Sequence, residues 1–199
     1  GSVALVTSQY AFEYSKPREA TLREVFRVIG TTGSAAFLLH SSDSLISLTA
    51  RQQLAACELL FEETGILDLA HAWVSGLVGT AAPTGAIRQR FQQASERLVA
   101  GASALPEAAI LRKAFHYLHA TLESAQTAPA QALQYLANAR DDLEAERVRL
   151  QHLSDAIVAL PALEDLHARS IAAGYASSLL TPLDQGTGSR MGWTLVVSP

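Results

Sequence analysis

Helical periodicity runs through this chain from Thr49 to Tyr175, broken at a few glycines and prolines, and so long an amphipathic pattern restricts the fold to a mainly α architecture. Thr49 is a candidate cap for a helix carrying Leu54, Cys57, Leu60 and Phe61, and Thr64-Gly65 ends that run. Ile66, Leu69, Trp73 and Leu77 form the stripe of the next helix. Gly79 to Gly85 is a break, with Thr84 as a cap for a third helix bearing Ile87, Phe91 and Leu98 and ending near Gly101. Pro106 starts a fourth, with Leu111, Phe115, Leu118 and Leu122 on one face. Pro129 opens the longest, in which Leu136, Leu143, Leu150 and Ile157 recur every seven residues. Arg140 and Arg147 fall where a heptad seam needs apolar residues, so the pattern describes a bundle helix with one apolar stripe. After Pro161 a last helix carries Leu163, His167, Ile171 and Tyr175.

The two ends of the chain read differently. Residues 3–14, with Val3, Leu5, Tyr10, Phe12 and Tyr14, have the β-branched and aromatic bias of a strand, and a helix from Pro17 to Gly30 follows. Two short apolar runs within 35–48 flank Ser41-Ser42-Asp43-Ser44, the pattern of a hairpin. Thr181 to Gly192 reads as a loop, and 193–197 as a strand needing a partner. The expected fold is therefore an irregular bundle of about six helices with a small sheet from the N-terminal strand, the hairpin and the C-terminal strand. Gly1-Ser2 resembles a cleavage scar, and 3–199 is expected to be one globular domain.

Composition narrows the function classes. With 49% hydrophobic and 17% charged residues the chain is too apolar for disorder, and a net charge of -4 without basic blocks disfavours nucleic acid. The apolar stretch Leu69 to Ile87 contains His71, Gly76, Gly79, Pro83 and Gly85, which disfavours a membrane span. The single cysteine, Cys57, permits no internal disulfide and tilts the localisation towards the cytoplasm.

Three helical i, i+3 pairs have the spacing of metal ligands: Asp68 with His71, His116 with His119, and Glu164 with His167. Such pairs converging in a bundle would hold zinc or iron, giving the alternative of a metal-dependent helical enzyme. The surrounding residues favour solvated faces for His116, His119, Asp68 and His71, and a hydrogen-bonded core position for His167. The glycine-rich segment from Gly186 to Gly192 follows a helix and precedes a strand, the reverse of a phosphate loop, and no G-x-S-x-G elbow occurs. The expected function is therefore a non-catalytic protein-binding or assembly module, self-associating or part of a larger bacterial or viral complex. Membrane action is the remaining alternative.

Overall fold

The computed structural model describes residues 1–78, 85–176, 178–186 and 188–199, and the chain divides into two compact units, residues 1–50 with 152–199 and residues 51–151. The architecture is mainly α with one four-stranded sheet, as the sequence predicts.

In the first unit, β1 (Leu5–Gln9) leads through a 3-10 turn (Phe12–Tyr14) into α1 (Arg18–Ile29), and β2 (Ser34–Leu39) returns parallel to β1. This βαβ crossover places the carboxyl ends of both strands side by side. Gly30 ends α1 at φ +59°, a left-handed conformation that glycine adopts without strain. The chain leaves this unit within α2 (Leu45–Glu58) and returns through α7 (Leu160–Ala172), β3 (Leu179–Asp184) and β4 (Arg190–Val197). The sheet order is β1-β2-β4-β3, so β1 and β3 are its edges. Ala35, Phe37, Leu39, Leu195 and Val197 point to one face, where α1 and α7 cover them with Leu22, Ile29, Leu163 and Leu166.

The sheet's hairpin is β3–β4 rather than 35–48. Only the first half of that segment is extended; Leu45-Ile46-Ser47-Leu48 opens α2, because the Ser44 hydroxyl accepts the Ser47 N–H at 3.1 Å and caps a helix there. The 181–192 segment holds most of β3, whose Pro182 is tolerated on an edge strand that bonds on one side only.

The second unit contains the rest of α2, a π turn (Leu59–Glu63), α3 (Ile66–Val78), α4 (Gly85–Ala104), α5 (Ala109–Ser124) and α6 (Pro129–Ala156), which re-enters the first unit at its end. Gly65, at φ +55°, makes the break between the π turn and α3. The apolar stripes meet as expected: Leu98, Leu111, Leu118, Leu136 and Leu143 are all buried. The expected break and Thr84 cap at 79–84 lie outside the described residues. Among the described residues no helix is long and apolar enough to cross a membrane.

Candidate functional site

The buried polar groups concentrate at one place, the carboxyl ends of β1 and β2, where Glu13, His40, Ser41, Ser44 and Ser47 are all buried. Glu13 is fully enclosed, and its Oε1 accepts the His40 backbone N–H at 3.0 Å and lies 2.7 Å from His40 Nδ1. A carboxylate can only accept, so Nδ1 carries the proton in this bond. Burial works against the Glu13 charge, but the hydrogen bonds from His40 outweigh it and hold the carboxyl below its usual range. Glu13 Oε2 has no hydrogen-bond partner among the described residues.

The ring of Tyr10 stacks on His40 at 4.1 Å between centroids. Tyr10 stands at φ +53°, unusual for a residue with a side chain. Its ring also lies over Gly192, where a Cβ would collide with the Leu39 carbonyl oxygen. Arg18 ties the same region from below, donating to the Glu13 carbonyl at 3.0 Å and the Ala156 carbonyl at 2.8 Å.

Beyond His40 the chain turns through three serines. Ser44 and Ser47 hydroxyls both donate to the Ser41 carbonyl, and Ser41 Oγ donates to Asp43 at 2.5 Å. Partial burial opposes the Asp43 charge, yet the hydrogen bonds from Ser41 and from its own backbone N–H, with the charge of Arg190, hold its carboxyl below the usual range. Arg190 bridges Asp43 at 2.9 Å and Asp184 at 2.5 Å while lying over the Trp193 ring. This network fixes the β2–α2 turn to the β3–β4 hairpin. Its hydroxyls are buried and already bonded, so its chemistry is that of a clamp.

The clamp holds a sheet with one uncovered face. Opposite the core, the strand registers align Leu5 with Ser34; Thr7 with Ala36, Val196 and Leu179; and Gln9 with Leu38, Thr194 and Thr181. None of these residues carries a charge, and all are half-exposed or exposed. Uncovered sheet faces usually alternate towards charged and polar residues, whereas charge depletion is typical of interface cores.

Edge strand β1 completes this surface. Ser34 N–H donates to the Ala4 carbonyl and Tyr10 N–H to the Leu38 carbonyl, so the even-numbered residues of β1 bond to β2. In a parallel pair, alternate residues turn their backbone groups the other way. The N–H and C=O groups of Leu5, Thr7 and Gln9 therefore point off the sheet, with no partner among the described residues. Edge β3 carries Pro182 and a bulge at Leu183/Asp184, two features that block further pairing. Edge β1 has neither, and no charged residue.

The residues expected as metal ligands fall in both units, and none of them is among the buried polar groups of the clamp. His71, His116 and His119 are exposed in the second unit; His71 approaches Ser75 at 3.4 Å, and His119 faces Glu123 at 3.8 Å. Asp68 is ion-paired with Arg140. In the first unit Glu164 is exposed, and His167 Nε2 lies 3.0 Å from the Ser178 carbonyl. Among the described residues no three His, Cys, Asp or Glu side chains are grouped to hold a metal ion. Cys57 is buried, and burial pushes its thiol up to about 11, far from a reactive thiolate.

Sequence reasoning did not single out Glu13 or His40, which are 27 positions apart. The available signal was Glu13 itself, a lone acid within an aromatic stretch, together with a histidine directly after an apolar strand. Compared with family models, with curated proteins and with solved structures, the chain shows no significant match.

Proposed function

We propose that the chain is a non-catalytic assembly module that pairs with a second copy of itself through the open edge of β1. The observation that carries this reading is the parity of β1: its outward backbone groups belong to Leu5, Thr7 and Gln9, which are symmetric about Thr7. An antiparallel partner strand related by a two-fold axis at Thr7 would set Thr7 against Thr7 and Leu5 against Gln9. Every outward donor then meets an outward acceptor, giving about six inter-strand hydrogen bonds. The uncharged outer faces of the two sheets would become one surface, without like charges opposed across the new pair.

Six hydrogen bonds at up to about 1.5 kcal/mol net each give about 9 kcal/mol, and an association cost of about 4 kcal/mol leaves about 5 kcal/mol, so the pairing is weak, with a Kd on the order of hundreds of micromolar. Because Thr7 would face itself, charge substitution tests the geometry. Thr7→Lys and Thr7→Glu chains are each expected to sediment as monomers at concentrations where the unmodified chain dimerises, and their equimolar mixture to dimerise. If the unmodified chain stays monomeric at several hundred micromolar, or either variant dimerises alone as well as the unmodified chain does, the reading is wrong.

A further inference from the structure

A cleft in the second unit differs in character from the rest of the surface. It has a volume of about 410 Å³ and is walled by Trp73 and Leu77 of α3, Leu122 and Ala125 near the end of α5, and Pro129 at the start of α6. Behind it Val74, Ala125 and Ala132 form a small apolar core, so its floor is dry packing. Arg88 and Gln126 supply its polar side chains, and no acidic residue lines it among the described residues.

Arg88 is the informative group. Four arginines of this unit are matched to carboxylates, Arg97 to Glu63, Arg140 to Asp68, Arg147 to Glu62 and Glu144, and Arg149 to Glu146, and none of these four lines the cleft. The Arg88 guanidinium instead lies 5.8 Å from the Trp73 ring centroid, and Phe91 meets the same indole edge-on at 5.4 Å. A cation on an aromatic face keeps its in-plane N–H donors available for an anion. By contrast, the cleft of about 380 Å³ in the first unit sets Lys16 and Arg18 against Glu19, Asp155 and Asp165, so its basic groups are outnumbered by carboxylates.

We propose that the cleft binds an amphiphilic organic anion, with its apolar body against Trp73, Leu77 and Leu122 and its acidic headgroup on Arg88. An apolar pocket of a few hundred Å³ with a few convergent polar groups is the usual form of a small-molecule site, and the uncompensated guanidinium sets the headgroup's sign. The site is independent of the β1 edge.

Isothermal titration of the full chain with decanoate, below its micellar range, tests the assignment, with decyltrimethylammonium as the cationic counterpart of equal chain length. Decanoate is expected to saturate one site per chain, while the cation gives no saturable heat. Arg88→Gln and Gln126→Glu, both at exposed positions, are each expected to weaken decanoate by about three- to tenfold, within the range for exposed charge-assisted contacts. Arg90→Gln, on the same helix but outside the cleft, is expected to leave it unchanged. Equal binding of the two amphiphiles, absence of saturable decanoate binding, or an Arg88→Gln chain that binds like the Arg90→Gln chain would each overturn the proposal.

Discussion

Replacing Glu13 by glutamine isolates the charge of the buried clamp while keeping its shape. In the native chain one carboxylate oxygen receives two N–H donors from His40, one at 3.0 Å and one at 2.7 Å. Hydrogen bonds to a charged acceptor contribute about 1 kcal/mol more than neutral ones, so the loss over two bonds is about 2 kcal/mol at neutral pH. Glu13→Ala removes the acceptor altogether, leaves both donors buried and unpaired, and is expected to cost about 3–5 kcal/mol. The sign with pH follows from the lowered carboxyl. Its stabilisation is fully present above the ordinary value of 4.5 and is lost as pH falls through the depressed folded value. The gap between the native and Glu13→Gln chains should therefore be constant above about pH 5 and shrink in acid. Urea unfolding followed by Trp193 fluorescence, in chains where Trp73 is replaced by Phe so that only the first unit reports, measures it. A Glu13→Gln chain as stable as its parent at pH 7, or a gap that persists unchanged at pH 2, would refute the charge-assisted clamp.

Gly192→Ala should destabilise the sheet by about 2 kcal/mol in the same assay, because the new Cβ meets the Leu39 backbone carbonyl, which cannot move without breaking the β2–β4 ladder. Gly101→Ala is the contrasting case: the three atoms nearest its Cβ all belong to the Leu59 side chain, which can rotate away, and the gain in helix propensity of about 1 kcal/mol offsets the crowding. Its unfolding midpoint, followed by circular dichroism of the helices because Gly101 lies in the second unit, should stay close to the native one. Cys57 should react with a disulfide reagent such as DTNB at neutral pH only at the rate at which the second unit opens, since its thiol is buried and raised to about 11. A stoichiometric burst of reaction in the folded protein would contradict this.

The helices were legible because their apolar stripes alone decide which side is buried, and Leu111, Leu136, Leu143 and Leu163 sit in the core as their spacing predicts. The small sheet joining the chain ends was legible for the same reason. What local pattern could not supply was the role of the serines at 41–47. The same residues suit a hairpin turn or a helix cap, and the choice depends on Ser41, Ser44 and Ser47 bonding to one another. Strand β3 was hidden by Pro182, which reads as a breaker until the strand is known to lie on an edge. The clamp was invisible because it pairs Glu13 with His40 across a crossover connection. The openness of β1 was hidden because it depends on which strand lies beside it.

Backbone hydrogen exchange along β1 tests the assembly most directly. The amides of Val6, Ser8 and Tyr10 face β2, and those of Leu5, Thr7 and Gln9 face outward. Measured at a few micromolar and at several hundred micromolar, the even-numbered amides should be protected at both concentrations. The Leu5, Thr7 and Gln9 amides should exchange freely in the dilute sample and gain protection in the concentrated one. Exchange at these three amides that does not change with concentration would contradict β1 pairing.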